Sequence, residues 1–488
     1  MARNRTILMV ALLLSGLLVT IGAVAAEPGG PAWRLFAPMV SAEGVPCHVV
    51  VAPGQSIQAA VDNSRSGQVI CVRAGTYHER IRITPAAAGI TLMAYPGERP
   101  MIDGEHKLPE RKWDGMVQIS GSHVVFDGFE VRNSAQRGMV IAPTGPASPR
   151  LQGVVVRNSI ITGSLDTGIT IQGPAESRPR NIIIEGNVVY ANLLKNPAGT
   201  SGGSAFAFIA TDDSVARGNY IFHNRGEGLV IDRGAANTTV EDNVIYDNAA
   251  VNLYLNDTQN PLVQRNLVFC TDDRAYWGGQ PPRARAGDGL HIRDESFSNL
   301  GIDPPRSTGQ VIINNIVIGC GWNFGVDAQI PGGGLNNALV ANNTFINARG
   351  DDQDYTNNIK LEGRASYNNS RFVNNLIVQT VPGAIAAILT VRGTPDLSTF
   401  SIGHNLYSKA PNPNHAWPAG EPGRLIADPL LVNPVLPVRG TMPKAADYGL
   451  RVGSPAIDKG VPVDGVTTDF FGRPRRGAPD VGAVEFIP

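Results

Sequence analysis

The stretch Val240-Glu-Asp-Asn-Val-Ile245 is followed 23 residues later by Val263-Gln-Arg-Asn-Leu-Val268, and in both an asparagine stands between aliphatic residues. The same unit recurs along most of the chain. Its asparagines are Asn158, Asn187, Asn219, Asn243, Asn266, Asn315, Asn343, Asn375 and Asn405. Seven of the eight successive spacings lie between 23 and 32 residues, which is too short for a strand–helix–strand unit to be the natural choice. The repeat therefore predicts a stack of coils built from strands alone.

Further short strands lie between these units, at residues 138–141, 168–171, 228–231, 252–255, 289–292 and 358–361. About three strands per repeat, without a helix-length amphipathic stretch, predict an all-β fold. The architecture that fits is a right-handed parallel β-helix, a single-chain solenoid of about a dozen coils. In this fold the recurring asparagines stack as a ladder of amides between coils. A β-propeller competes less well, because its blades need four strands in about 40–50 residues.

Composition narrows the function classes. The chain of 488 residues carries 41 basic and 42 acidic residues, so its formal charge is −1. This balance excludes broad electrostatic capture of nucleic acid or of an acidic membrane surface. Only 17% of the residues are charged and 6% are aromatic, so the core is expected to consist mainly of aliphatic side chains.

The N-terminus has the pattern of a secretory signal peptide. Arg3 and Arg5 precede an apolar run from Ile7 to Ala26 that ends in small residues. We therefore expect a signal peptide over residues 1–26, a linker over 27–45, and a secreted or cell-surface protein. The alternative is an uncleaved anchor, since about 20 apolar residues can span a bilayer. No later apolar run is long enough to cross a membrane.

Four cysteines are few for an exported chain, so disulfides can staple local features but cannot define the fold. Cys47 and Cys71 flank the first predicted β unit, whereas Cys270 and Cys320 follow two equivalent repeat strands. We expect two disulfides, with buried free thiols as the alternative. The spacing contains no Cys-x-x-Cys pair, which argues against a structural zinc site.

Both ends of the mature chain resemble a known superfamily. The opening Val51-Ala-Pro-Gly-Gln-Ser-Ile-Gln-Ala-Ala-Val-Asp62 and the later Ala74-Gly-Thr-Tyr77 resemble the start of pectin-lyase-like β-helix proteins. The resemblance implies a short helix that caps the first coil and a β-helix over residues 46–425. The final stretch, with Gly453-Ser-Pro-Ala-Ile-Asp458 and Asp480-Val-Gly-Ala-Val-Glu-Phe486, resembles the closing segment of exported bacterial β-helix proteins. It implies a segment over residues 426–488 that packs on the helix.

Alternation along the second strands predicts which side chains leave the coil, because successive strand residues face opposite ways. If Leu229, Leu253 and Ile359 point inward, polar residues face outward on neighbouring coils. This outward set comprises Tyr254, His291 and Lys360, then Asp232, Asn256, Arg293 and Glu362, and just past the strands Arg233, Asp257, Asp294 and Arg364. The middle coils are therefore expected to carry one face dense in acids, bases and hydrogen-bonding groups.

The one abnormal repeat spacing falls beside this face. Asn266 and Asn315 are 49 residues apart, and the inserted stretch contains Tyr276 and Trp277. Long insertions in compact folds are commonly functional, and an aromatic ring can cover the apolar face of a sugar. We interpret the insertion as one wall of a sugar-binding groove, with an ordinary solvated surface as the alternative.

The chemistry that best fits an exported β-helix with such a face is β-elimination on a uronic-acid polysaccharide. The reaction must neutralise the uronate carboxylate and remove the neighbouring proton. Lys360, His291 and Tyr254 are the candidate bases, and Arg293 is a candidate neutralising group. The remaining roles are substrate binding by Arg233, Asn256, Glu362, Arg364 and Trp277, and a calcium site formed by Asp232, Asp257 and Asp294. The Asp212–Asp213 and Asp272–Asp273 pairs are further candidate metal ligands.

Two other classes stay open. An inverting glycoside hydrolase needs two carboxylates about 6.5–9.5 Å apart, but the chain lacks the Gly-His-Gly and complete Arg-Ile-Lys motifs of the β-helical polygalacturonases. It also lacks the Asp-Pro-His-Asp signature of mannuronan epimerases. A non-catalytic surface protein that binds glycans is the third class, because no complete catalytic motif is present. In each case we expect a monomer whose partner is a polysaccharide.

Overall fold

A computed structural model describes residues 46–145, 148–196, 202–278, 284–351, 357–380, 389–392 (backbone only), 396–409 and 420–488. The predicted signal peptide and linker lie outside these ranges. In the part of the chain that is described, no helix combines the length and apolar character needed to cross a membrane.

Three long parallel sheets form the described body of the protein, and the chain visits them in turn. The sheets are numbered 1 to 3, and each is defined by its strands. Sheet 1 contains Val49–Val51, Val69–Val72, Thr91–Ala94, Val125–Asp127, Val155–Arg157, Ile183–Glu185, Val215–Arg217, Thr239–Glu241, Leu262–Gln264, Val311–Ile313, Leu339–Ala341, Arg371–Val373 and Ser401–Gly403. Sheet 2 contains Thr76–Tyr77, Met101–Asp103, Glu130–Arg132, Ile160–Thr162, Val188–Tyr190, Tyr220–Phe222, Val244–Tyr246, Leu267–Phe269, Ile316–Ile318, Thr344–Ile346, Leu376–Val378, Leu406–Tyr407 and Leu425–Ile426.

Sheet 3 closes each coil and carries the longest strands. It contains Ile81–Ile83, Gly115–Ile119, Arg137–Ile141, Ile169–Gln172, Ser204–Ile209, Glu227–Asp232, Val251–Asn256, Asp288–Asp294, Trp322–Ala328, Asn357–Glu362 and Leu389–Arg392. A small antiparallel pair, Trp277–Gly278 with Arg285–Ala286, belongs to the insertion. Because every neighbour in the three long sheets is the equivalent strand of the next coil, the fold is the predicted parallel β-helix.

A short α-helix, Ile57–Asp62, stands at the start of the solenoid. Ser56 accepts the backbone N–H of Ala59 and caps this helix, while Ile57 and Val61 are buried in the core. The remaining helical turns are 3₁₀ helices at Pro85–Ala87, Ala175–Ser177, Arg274–Tyr276, Ser298–Leu300 and Ala445–Tyr448. The helix covers the first coil with apolar side chains, as its resemblance to β-helix caps implied.

The predicted amide ladder is present between sheets 1 and 2. Each side-chain Nδ2 from Asn187 to Asn375 donates to the Oδ1 of the next asparagine, and the seven bonds measure 2.9–3.1 Å. The first predicted member is wrong. Asn158 adopts a left-handed backbone and donates to Asp127, whereas Ser159 occupies the buried position and donates its N–H to Asn187.

A second ladder, which the repeat pattern did not reveal, runs between sheets 2 and 3. Hydrogen bonds between side-chain amides connect Asn192, Asn224, Asn248 and Asn252. Past the insertion the stack continues through Asn323, Asn358 and Gln379. Both corners that flank sheet 2 are therefore held by buried side-chain amides.

Both expected disulfides form. The Cα atoms of Cys47 and Cys71 are 5.6 Å apart, and those of Cys270 and Cys320 are 4.9 Å apart. The second bond sits in the gap of the second ladder, where Nδ2 of Asn252 lies 3.2 Å from Sγ of Cys270. The disulfide thus replaces amide rungs at the coil that carries the insertion.

The segment after Ile426 lies on the outer face of sheet 2. Its buried residues Leu431, Tyr448 and Val481 pack in one cluster with Phe269 and Ile318. This cluster covers aliphatic side chains of the sheet that would otherwise face water. The opposite outer face, on sheet 3, receives no such cover from these residues.

The first prediction concerns the amide ladder. Replacing Asn243 by Leu removes the amide that donates to Asn266 and to the carbonyl of Ala216. We expect a loss of about 1–3 kcal/mol in the free energy of unfolding, because neighbouring amides lose buried partners. Asn368, an exposed turn asparagine, is the matched control for an Asn→Leu change. Equal denaturant midpoints for both variants would contradict the ladder's role.

Candidate functional site

The strand register of sheet 3 places the predicted outward residues in one column. Val230 pairs with Tyr254, Tyr254 with His291, and His291 with Gly325, which pairs with Lys360. These side chains form the floor of a groove with a volume of about 1000 Å³. The predicted residues that line it are Asp232, Arg233, Tyr254, Asn256, His291, Arg293, Lys360 and Glu362.

The insertion forms part of the groove wall. Gly278, Arg285 and Ala286 of its antiparallel pair line the cavity. Because the wall rises beside the sheet, Tyr254, His291 and Lys360 are each only 3% exposed. The floor is therefore a recessed site and not an open solvated surface. Other lining residues include Trp113, Leu193, Phe297 and Trp322.

Asp327 is the centre of an ion-pair network on this floor. Its Oδ2 lies 3.0 Å from Nζ of Lys360 and 3.2 Å from Nε2 of His291, and its Oδ1 lies 3.0 Å from Nε of Arg293. Burial alone raises the pKa of Asp327, but the hydrogen bond from His291 and the charges of Lys360 and Arg293 outweigh it and lower the pKa. Asp327 is therefore ionised at neutral pH.

His291 is held between two carboxylates. Its Nδ1 lies 3.2 Å from Oδ2 of Asp288, and its Nε2 faces Asp327. Burial alone lowers the pKa of His291, but the contacts with Asp288 and Asp327 outweigh it and raise the pKa. A carboxylate therefore faces each ring nitrogen, and these contacts favour the protonated imidazolium. Lys360 completes this side of the floor, with its Nζ 3.7 Å from the centre of the Trp322 ring.

A second group of residues connects two carboxylates through one amide. Nδ2 of Asn256 donates to Oδ1 of Asp232 at 3.1 Å and to Oε2 of Glu295 at 3.3 Å. The Tyr254 hydroxyl donates to the other Glu295 oxygen at 2.9 Å. Glu295 is therefore supplied with two hydrogen-bond donors, while Asp232 receives only one of them and lies 3.3 Å from Nε of Arg233.

The pKa values of the groove acids diverge. Burial raises the pKa of Asp232 to about 7 against the opposing charge of Arg233. Desolvation likewise raises the pKa of Glu227 to about 7, although Ser204 donates a hydrogen bond to it. The groove therefore holds protonated carboxyl groups near neutral pH beside the ionised Asp327.

Trp277 was expected to bind sugar, but the structure places its ring outside the groove. The ring is buried in a cluster with Cys270 and Cys320 and does not line the groove. Its Nε1 donates to the carbonyl oxygen of Thr271, and the Arg274 guanidinium covers the ring at 3.8 Å. Trp277 supports the wall of the insertion, and the aromatic rings that reach the groove are those of Trp113, Trp322 and Phe297.

The expected calcium site does not match the positions of its three aspartates. Asp257 and Asp294 are fully buried and lie outside the groove lining, whereas Asp232 lies within it. Burial and the neighbouring Asp294 raise the pKa of Asp257 to about 8, and Asp294 accepts backbone N–H groups from Ser307 and Gly334. Calcium takes about 6–8 oxygen ligands around one point, and these three aspartates do not form such a cluster. In the described ranges, no group of three His, Cys, Asp or Glu residues could hold a metal ion.

The remaining candidates have other surroundings. Arg364 is exposed in the turn after its strand and does not line the groove. Asp212 contacts Arg178, and Asp213 accepts a hydrogen bond from Asn237. Asp273 caps a 3₁₀ helix, and Asp272 accepts the N–H of Arg439 from the closing segment. Both aspartate pairs therefore have structural roles.

Alternation missed several groove residues because it fails at the start of the long strands. The residue before each core position, such as Asn252 or Asn323, turns inward to join the second ladder. The preceding residue then faces the groove, although simple alternation would bury it. As a result, the groove is also lined by Glu227, Val251, Asp288 and Trp322.

Comparisons with known proteins agree with this architecture. A family model described as "Right handed beta helix region" matches residues 114–300. No curated protein sequence gives a significant match. The crystal structure of pectate lyase Pel9A is 15% identical, with a TM-score of 0.52, and the match covers 91% of this chain and 97% of that one. The structure of XylC with xylose is 12% identical, with a TM-score of 0.55, covering 90% of this chain and 98% of that one.

The class of protein follows from these findings. The chain has the right-handed parallel β-helix fold, which the family model matches over residues 114–300 and which the two solved structures share. At this level of identity the likeness concerns the fold. The residues of the groove must therefore carry any argument about function.

The second prediction tests the ion-pair network. We expect Asp327→Asn to lower the free energy of unfolding by about 3–5 kcal/mol, since it leaves Lys360, His291 and Arg293 without their shared buried carboxylate. Asp303→Asn is the control, because Asp303 also pairs with an arginine at 2.8 Å but its side chain is 84% exposed. It should change stability by less than about 0.5 kcal/mol. If a urea titration shows an equally small loss of stability for both variants, the network is not stabilising.

Proposed function

We propose that this protein is a carbohydrate-active enzyme that hydrolyses a glycosidic bond in the groove, with Asp232 as general acid and Glu295 as the partner carboxylate. The observation that carries the proposal is the bridge in which one amide, that of Asn256, contacts both groups. Glycosidases use two carboxyl groups whose surroundings separate their pKa values. A carboxyl group with a pKa of about 7, as at Asp232, can hold a proton for the leaving oxygen.

The bridge also limits the distance between the two groups. Oδ1 of Asp232 and Oε2 of Glu295 are at most 6.4 Å apart, the sum of the 3.1 and 3.3 Å contacts to Asn256. Enzymes that invert the anomeric centre keep their carboxyl groups about 6.5–9.5 Å apart to admit a water, whereas retaining enzymes keep them about 5–5.5 Å apart. The groove therefore favours the retaining mechanism over the inverting one.

In the first step, Asp232 gives its proton to the glycosidic oxygen as Glu295 attacks the anomeric carbon. The bond to the leaving sugar breaks, and a glycosyl ester forms on Glu295. In the second step, the Asp232 carboxylate takes a proton from water, whose oxygen displaces Glu295 and releases the sugar. The Tyr254 hydroxyl and the Asn256 amide orient Glu295 throughout, because each donates to one of its oxygens.

β-Elimination is the second candidate, favoured by the convergence of Lys360, His291 and Arg293 on one floor. Its difficulty is the absence of a free base among these groups. Lys360 and His291 both contact Asp327, and the raised pKa of His291 favours its protonated form. The pKa of Tyr254 is raised well above its ordinary value by burial and by Glu295, so it remains a phenol.

A saccharide substrate is supported by the groove's size and lining. It combines many hydrogen-bonding groups with the rings of Trp113, Trp322 and Phe297. The two structural neighbours are a pectate lyase and XylC in complex with xylose. With the signal-peptide pattern of residues 1–26, these features support an exported enzyme that acts on a polysaccharide.

The third prediction identifies the reaction and its acid. Incubation with pectin, alginate, glucuronoxylan and neutral glucans should release reducing ends without the absorbance of unsaturated uronates.

Asp232→Asn should lower kcat by about 10²-fold or more, whereas Asp213→Asn, at an exposed turn aspartate, should leave kcat unchanged. Because the acid must be protonated, the parent's rate should fall about tenfold per pH unit above pH 7. Unsaturated products would establish elimination, and binding without turnover would exclude both reactions.

The fourth prediction concerns stereochemistry. We expect the first product detected by proton NMR to keep the anomeric configuration of the bond that was cleaved, because the two carboxyl oxygens lie too close for an intervening water. Glu295→Gln should remove most of this activity, and Glu176→Gln, on an outer 3₁₀ helix, is its control. An initial product of inverted configuration would contradict the role assigned to Glu295.

A further inference from the structure

We propose that Arg137, packed against Trp113 at one end of the groove, binds the carboxylate of an acidic sugar in the substrate. This inference deepens the proposed function and rests on it. Arg137 lines the groove and is 9% exposed, and its guanidinium carbon lies 4.7 Å from the centre of the Trp113 ring. Trp113 itself is 53% exposed, so this end of the groove is open to a ligand.

Arg137 differs from the other groove cations in having no carboxylate partner. Arg293 and Lys360 each lie 3.0 Å from Asp327, and Arg233 lies 3.3 Å from Asp232. Arg285 pairs with Asp288. Within the described residues, no carboxylate oxygen lies within 4.0 Å of Arg137, and its Nε is buried without a hydrogen-bond acceptor.

The guanidinium of Arg137 is thus incompletely satisfied. Its one described side-chain hydrogen bond, from Nη1 to Oε1 of Gln172, is long at 3.4 Å. Burial lowers the pKa of Arg137, which reflects the cost of keeping the charge away from water. A bound carboxylate would restore this lost solvation, because its two oxygens match the planar donor fork of arginine.

The surroundings of Arg137 favour an added negative charge. Asp166 raises its pKa only through its field, and Arg233 opposes that effect. The Asp166 carboxylate accepts the backbone N–H of Thr167 at 2.8 Å instead of pairing with Arg137. Lys112 adds a second cation, with its Nζ 4.6 Å from the centre of the Trp113 ring.

The position of Arg137 separates this subsite from the bond that is cleaved. Its strand lies three strands from that of Asp232 in sheet 3, which corresponds to about 14 Å along the solenoid. Near Asp232 the groove cations Arg233, Arg293 and Lys360 already contact carboxylates of the protein, so they offer a uronate no unpaired cation at the cleavage point. The substrate class that fits both regions is a neutral glycan chain with a uronic acid more than one unit away.

The test measures binding in the Asp232→Asn background, where cleavage is suppressed. Affinity electrophoresis would compare glucuronoxylan with its carboxyl-reduced form, and polygalacturonate with its reduced form. We expect at least tenfold tighter binding of one acidic polymer than of its reduced counterpart. Arg137→Gln should abolish this preference, since a hydrogen bond to a charged group accounts for about tenfold to a hundredfold in affinity. Arg150→Gln, at an exposed arginine outside the groove lining, should preserve it.

Trp113→Ala provides a second variant, because the ring is largely exposed and its loss should weaken the preference without unfolding the chain. The proposal is overturned if the background protein shows no preference for either acidic polymer, or if Arg137→Gln retains the preference. The outcomes separate the two levels of inference. Loss of the preference in Arg137→Gln without cleavage by the parent would leave the subsite and reject hydrolysis. Cleavage by the parent, with a preference that does not depend on Arg137, would support hydrolysis and reject the subsite.

Discussion

The structure depends on the stacking of buried side-chain amides at the corners of its coils. Each asparagine from Asn187 to Asn375 donates to its successor and so fixes the height and register of the next coil. A slip of one residue would break this chain of hydrogen bonds and turn the outer residues of sheet 3 into the core. The alignment of Tyr254, His291 and Lys360 over four coils, with Gly325 on the third, follows from this constraint.

The charged groove floor is acceptable because its groups are arranged in compensating sets. Asp327 is shared by three cations, and His291 lies between two carboxylates. Asp232 is different, since burial raises its pKa to about 7 while Glu295 receives donors from Tyr254 and Asn256. One sheet face therefore combines a rigid ionic half with a half in which a proton can move.

Period and alternation were enough to predict the β-helix, the ladder, both disulfides and eight residues of the groove. The sequence analysis did not identify Asp327. Its strand is Trp322-Asn-Phe-Gly-Val-Asp-Ala328, which has a glycine where the neighbouring strands carry His291 and Lys360. Glu295 lies beyond the end of a strand, where alternation carries no information. The position of Trp277 could not be predicted, because sequence shows that an aromatic ring is present in a loop but not whether it faces the groove or packs on a disulfide.

The place of the Cys270–Cys320 bond within the second ladder has a consequence for the groove. At this coil the amide stack is interrupted, and two sulfur atoms stand in for the missing rungs beside Asn252. The same sulfurs pack against Trp277 and Ala286, which lie at the base of the groove wall. Reduction of this bond would remove the covalent link between the wall and the coil, so the complete groove depends on the oxidised state of Cys270 and Cys320.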